Sequence, residues 1–309
     1  RESQTHQPLG MSMSEVPYFV SYDEALTILR QHTLNIGTET IALDHLYNRI
    51  LAEDIQSTVD DPRFDNSAMD GFAFQYSDST QPPAVLSIKQ TLQAGTDEQL
   101  TTIEPGQAVR IMTGAPIPNG ADAILPIERC SISDDGSEVT LHDEGKKHFI
   151  RKQGENLKRG QTALTKGSLF SPSSVGLCAT MGHASAKVFK KATIGILPTG
   201  DELQLPGEEL SDNSIYESNS FGLASLVRMT GHNPIRYTSV SDSMDALRQQ
   251  LDAAAAECDF ILTSGGVSMG EWDLVRRIME EDGDIKFLLV KIRPGSPPLF
   301  GYWKGTPLF

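Results

Sequence analysis

The stretch FILTSGGVSMGEWDLVRRIM, residues 260–279, runs from an apolar segment through two glycines and then resumes a helical pattern. A glycine turn between strand and helix usually cradles an anion, because its backbone N–H groups and the helix N-terminus point at negative charge. Ser264, Gly265, Gly266 and Ser268 are the expected anion-binding residues of this turn. Yet it carries Glu271 and Asp273 and no lysine. Other apolar segments also end in acid: ILPTG is followed by Asp201 and Glu202, and YTSVS by Asp242. Taken singly, each reads as a helix cap or first-turn carboxylate. Together they suit a hard cation such as Mg2+, which bridges carboxylates to phosphate oxygens. The turn is neither a Walker A loop, since Gly-Lys-Ser/Thr is missing, nor a G-x-G-x-x-G fingerprint.

A second group of polar residues lies upstream. FDNSAMDGFA gathers Asp65, Asn66, Ser67 and Asp70, and RIMTGAPIPNGADA puts Thr113 and Gly114 at a strand end. An Asx-rich turn leading into a strand accounts for the first of these equally well. KKHFIRKQGENLKRG is the one strongly basic cluster, either a solvated face or the completion of an anion site.

The elements that must hold these residues follow from periodicity. SYDEALTILRQH reads as a helix with Ser21 and Glu24 as a capping box. DHLYNRILAEDI reads as a second, shorter helix. From residue 61 to 145, short β-rich runs (AVLSIKQTL, AVRIMTG, DAILPIE, EVTLHDE) alternate with turn residues. SPSSVGLCATMG is a helix started by Ser171-Pro172 and stopped by Gly182. From residue 191 onward, near-continuous apolar strands (TIGILPTG, IRYTSV, DFILTSGG, IKFLLVKI) alternate with amphipathic helices. That pattern predicts a parallel sheet covered on both faces. LFGYWKGTPLF predicts a hairpin turning at Lys304-Gly305.

The fold class expected is therefore multidomain, α/β plus β-rich. A doubly wound, mostly parallel α/β domain (191–309) is preceded by an elongated helical and extended domain (15–60 and 146–190) carrying a β-rich insertion (61–145). Residues 1–14 are a polar tail outside the fold. In an open parallel sheet, ligands bind beyond the carboxyl ends of the strands, where the carboxylates lie.

The chain has 309 residues and a formal net charge of -15. Such an acid excess disfavours sequence-independent nucleic-acid binding and adhesion to anionic membranes. No apolar run approaches the ~20 residues of a membrane span. Cys130, Cys178 and Cys258 match no zinc or redox spacing and read as small apolar residues in a reducing cytoplasm.

In their order, DNSAMDGFA, RIMTGAPIPNGADAILPIE, PTGDEL and TSGGVSMGEWD resemble the molybdopterin molybdenumtransferase family, which includes the carboxyl-terminal domain of gephyrin. The resemblance runs from about Val20 to the end. It implies insertion of molybdenum from molybdate into adenylylated molybdopterin, with Mg2+ and release of AMP. It also implies a cytoplasmic, elongated homodimer of four-domain subunits, with the site between the α/β domain of one subunit and the first domains of the other. A molybdopterin adenylyltransferase is the expected upstream partner. Carried over by motif, Asp65, Thr113, Glu202, Asp242 and Asp273 are catalytic. Glu202, Asp242 and Asp273 are the metal ligands, and Asn156, Lys291 and Arg293 contact substrate.

The chain also departs from the family's pattern. Many relatives have Asp at the place of Asn156 and lysines at the places of Leu289, Arg293 and Ser296. The residues given stop before the family's Leu-Pro-Gly-Asn-Pro segment and fourth domain. Two other readings stand beside the transferase: an adenylylating enzyme, against which the first half of the chain argues, and a catalytically silent molybdopterin-binding or scaffold paralogue.

Overall fold

The structure is a computed structural model that describes residues 16–95, 99–239, 243–265, 274–295 and 297–309. The chain folds as two compact units, one of the described residues up to Glu39 with Phe189–Phe309, the other Thr40–Val188.

The first unit is built on a seven-stranded sheet. Its strands are β1 (Tyr18–Val20), β2 (Thr193–Pro198), β3 (Asn233–Arg236), β4 (Phe260–Ser264), β5 (Asp284–Val290), β6 (Leu299–Trp303) and β7 (Thr306–Leu308). Their spatial order is β1-β5-β6-β7-β4-β2-β3. Only β6 runs against its neighbours. β6 and β7 are the predicted hairpin: Trp303 pairs with Thr306, and Lys304 and Gly305 both take positive φ, as a two-residue turn requires.

Four helices cover this sheet: α1 (Tyr22–Gln31), α2 (Asn219–Met229), α3 (Met244–Glu257) and α4 (Leu274–Asp282). Successive strand residues point to opposite faces. Leu197, Leu288 and Leu299 therefore pack with Leu247 and Leu251 of α3 and Val275 and Ile278 of α4. Ile196 packs with Ala224 of α2, and Phe287 and Phe300 with Ala25 of α1. The α1 capping box forms as predicted, Ser21 N–H donating to Glu24 and Glu24 N–H to Ser21 Oγ. Its place differs from expectation. β1 pairs in parallel with β5, so the segment up to Glu39 belongs with the sheet rather than with the elongated part.

In the second unit, a six-stranded sheet runs in the order Ala123–Pro126, Gly71–Phe74, Gln107–Ile111, Ala84–Leu92, Glu138–Leu141, Cys130–Ile132. It contains all four β-rich runs predicted between residues 61 and 145. Phe72, Phe74, Leu92, Ile111, Ile124 and Leu141 fill its core. The rest of the unit is made of two-stranded ribbons and the helix Pro172–Thr180, capped by Ser171, around Leu46, Leu51, Phe170 and Met181. DHLYNRILAEDI is not a helix. It makes one turn at Leu43–His45, Asn48 takes φ +59, and Leu51 N–H donates to Ser168 O. Burial of Leu46 and Leu51 overrides the helical spacing.

Cys178 and Cys258 are buried, and burial pushes both thiols up; it raises Cys130, half-buried, to about 12. All three are thus inert thiols at neutral pH. Among the described residues no helix is long and apolar enough to cross a membrane.

Candidate functional site

In the first unit the site grows from the connection order. From β2 the chain passes through α2 to β3 on one side, then returns through α3 to β4 on the other. The carboxyl ends of β2 and β4 therefore flank the point where strand order reverses, where a crevice must open. Thr199 N–H donates to Ser264 O at 3.0 Å and ties the two ends together. Gly265 follows with φ +93, and a Cβ there would lie 2.7 Å from Thr199 O. Only glycine allows this approach.

Glu202 reaches the same place from β2. Its carboxylate folds back over Gly200, whose φ is +140 and where a Cβ would meet Glu202 Oε2 at 2.5 Å. The structure thus joins three predicted site residues, Ser264, Gly265 and Glu202, and adds Thr199, which sequence reasoning passed over although PTGDEL contains it. The Glu202 carboxylate makes no hydrogen bond among the described residues. An anionic oxygen donor without an internal partner fits a hard cation. Gly266, Ser268, Glu271, Asp273, Asp242 and Ser296 lie outside the described residues; Asp242 and Asp273 are two of the three expected metal ligands.

Lys291 and Arg293 follow β5 and occupy the same sheet edge, exposed. Three strand spacings separate β5 from β4, roughly 14 Å. Lys291 N–H is fixed to Val20 O, and its ammonium lies 5.9 Å from the Phe19 ring centre. Leu289, where the resemblance leads one to expect a lysine, is buried with φ +60 and offers no charge to this edge. At the end of β3, Arg236 forms an ion pair with the buried Glu217, donates to Ser220 Oγ at 2.7 Å and stacks on Phe221. This caps α2 from within and is a structural network.

In the second unit, pairing of Ile150 and Arg151 with Ser67 and Asn66 brings the basic cluster against FDNSAMDGFA. Asp65 accepts from Lys152 Nζ at 2.7 Å and from Gln153 N–H at 2.8 Å. The Lys152 hydrogen bond holds its carboxyl below the usual carboxylate range, with Gln153 N–H adding to it. Asp65 is thus a clamp on the basic loop, which spacing could not show. Lys147 and Arg151 rest on Asp122 and Glu155. Thr113 stands across from Asp70, donating to it through both N–H and hydroxyl. Asn156 Nδ2 donates to Asp61 Oδ2 at 3.0 Å. Asn156→Asp should therefore set two carboxylates against each other and cost about 0.5–1 kcal/mol at this exposed place. Urea unfolding should show the loss at pH 7 and most of it should vanish by about pH 3, where carboxyls are largely protonated. An equal loss at both would refute the pairing.

Residues 20–182 match the family model described as MoeA N-terminal region (domain I and II). Residues 195–307 match that described as probable molybdopterin binding domain. The chain belongs to the molybdopterin molybdenumtransferase family. It is 37% identical over 275 residues to the molybdopterin molybdenumtransferase of Haemophilus influenzae, covering 89% of this chain and 67% of that one. It is 35% identical over 279 residues to molybdopterin molybdenumtransferase 2 of Mycobacterium tuberculosis, covering 87% and 68%. It thus spans about two thirds of the length of these relatives. The molybdopterin biosynthesis moeA protein of Pyrococcus horikoshii OT3 superposes with a TM-score of 0.79 at 30% identity, over 94% of this chain and 73% of that one. Family membership places the chain among the enzymes of molybdenum cofactor biosynthesis.

Proposed function

We propose that the chain inserts molybdenum from molybdate into adenylylated molybdopterin and releases AMP in a magnesium-dependent step. The observation that carries this reading is the convergence of Thr199, Gly200 and Glu202 with Ser264 and Gly265 at the strand-order reversal. A turn without side chains lets a phosphate approach backbone closely, and the acid beside it holds the countercharge. Magnesium, when bound, offsets charge on the phosphate oxygens and on the departing AMP. Glu202 holds it, together with Asp242 and Asp273. Lys291 and Arg293 bind the oxyanion further along the edge, as cations do. Asp65 fixes the loop bearing Lys152, and Thr113 contacts the pterin end. Also proposed are a homodimer in the cytoplasm and an adenylyltransferase that supplies the substrate. The alternative of a silent binding paralogue rests on Leu289 and Asn156, which stand where the family resemblance implies a lysine and an aspartate.

The test is AMP release from adenylylated molybdopterin, with and without molybdate and Mg2+. Turnover that needs both supports the transferase. Tight binding of the nucleotide ligand without any AMP release would support the silent paralogue.

A further inference from the structure

By spacing alone Asp70 is part of an Asx-rich turn, but one of its oxygens does two things. Oδ1 accepts the Thr113 backbone N–H and the Thr113 hydroxyl, each at 2.7 Å. A threonine hydroxyl has one proton. Here that proton is spent on a carboxylate, so what Thr113 Oγ1 turns outward is lone pairs alone. The backbone that carries the hydroxyl is itself pinned, which fixes where Thr113 meets Asp70. Gly114 N–H donates to Ser67 O, Ser67 N–H to Ala115 O, and Ala115 N–H to Met112 O. Gly114 itself takes φ +83. The other oxygen of Asp70 has no hydrogen-bond donor among the described residues and adds negative charge beside the threonine. The two hydrogen bonds from Thr113, the hydroxyl's first, hold this carboxyl below its ordinary range, so it stays ionised at neutral pH.

An acceptor flanked by a carboxylate repels phosphate and molybdate oxygens, which are acceptors too, and attracts N–H. We propose that Asp70 is a positioning residue that fixes the Thr113 hydroxyl as an acceptor, so that Thr113 receives a ring or amino N–H of the pterin and not an oxygen of phosphate or molybdate. This rests on the proposed function and deepens it, assigning the Thr113 side of the site to the heterocycle.

The experiment uses the full chain in the insertion assay, varying adenylylated molybdopterin, molybdate and Mg2+ in turn. It compares Thr113→Val, Thr113→Ser, Asp70→Ala, Asp70→Asn and the Asp70→Ala/Thr113→Val double variant, with melting temperatures recorded for each. Thr113→Val should raise KM for adenylylated molybdopterin about tenfold, the usual effect of one lost ligand hydrogen bond, and leave KM for molybdate and the Mg2+ requirement unchanged. Thr113→Ser, which keeps the hydroxyl, should raise that KM less than Thr113→Val does. Asp70→Ala should match Thr113→Val, and the double variant should be no worse than either, because both remove one contact. Asp70→Asn should rescue, since its side-chain oxygen still accepts both protons.

Effects of Asp70→Ala and Thr113→Val that multiply would overturn the proposal, as would a rise in KM for molybdate or in the Mg2+ requirement. Should the parent protein show no turnover, the proposed function fails on its own. Direct titration with adenylylated molybdopterin then decides this inference by the same pattern, read as Kd. The conservative Thr113→Ser and the isosteric Asp70→Asn keep the test open if the alanine variant does not fold.

Discussion

Gly265→Val should reduce AMP release at least about a hundredfold while leaving the protein folded. Two effects combine at this position. Its φ of +93 is a conformation that a β-branched residue adopts only at a cost of roughly 1–3 kcal/mol. A Cβ would also lie 2.7 Å from Thr199 O and 3.0 Å from Thr199 Oγ1. The first of these is backbone and cannot rotate aside, so the ends of β2 and β4 must separate. The tie from Thr199 N–H to Ser264 O opens with them. A displacement of about 1 Å in a group that positions a reacting phosphate is enough for roughly a hundredfold loss of rate. The rest of the sheet is held by pairing along the full lengths of β2 and β4 and by packing on both faces, so folding survives. Gly207→Val is the control: it has φ +99, with nothing within 4 Å of an added Cβ. It shares the backbone strain without the collision and should keep most of the activity. The measurement is AMP release for both variants beside their melting temperatures. A Gly265→Val protein with the parent rate would show that the junction of β2 and β4 is not the phosphate site.

How much of this was readable beforehand depended on the range of the interactions involved. The α/β sheet was legible because buried parallel strands are continuously apolar and their helices amphipathic, both local patterns. The turn at Lys304-Gly305 and the Ser21 capping box were legible for the same reason. The position of β1 and α1 was not: the helix SYDEALTILRQH has the same stripe whichever sheet it covers, and its partners Phe287 and Phe300 are far along the chain. DHLYNRILAEDI was misread because Leu46 and Ile50 have helical spacing, whereas the residues that enter the core are Leu46 and Leu51, five apart, against partners drawn largely from residues 157–188.

The same distinction runs through the site. Gly265, Ser264 and Glu202 could be named because each ends a strand. What Asp65 does could not be, since Lys152 and Gln153 reach it through the ribbon formed by Ile150 and Arg151. Spacing within FDNSAMDGFA holds no information on a partner almost ninety residues away. Asp70 and Thr113 meet in the same way, across paired strands, and neither motif read alone reveals the proton that joins them.

Glu202→Gln should lower kcat by about a hundredfold at limiting Mg2+. The substitution preserves shape and the packing over Gly200, where Glu202 Oε2 would meet an added Cβ at 2.5 Å. What it removes is one unit of negative charge at a place where the carboxylate has no hydrogen-bond partner among the described residues. A carboxylate used for stability would have such a partner, as Asp65 has Lys152 and Glu217 has Ser220 and Arg236. Folding should therefore be little changed, and removing a solitary acid from so acidic a chain should if anything raise the melting temperature slightly. Turnover should respond differently. A carboxamide is a far weaker ligand for Mg2+, and loss of one preorganised charge at the reacting phosphate costs about 3 kcal/mol in the transition state. Part of the loss should return as Mg2+ is raised, because weaker binding is offset by mass action. The Mg2+ concentration for half-maximal rate should accordingly move upward. Rate against Mg2+ concentration for the parent and Glu202→Gln reads both quantities. If the two curves coincide, Glu202 does not hold the metal. If kcat falls but the half-maximal Mg2+ concentration is unmoved, the carboxylate acts on the substrate directly.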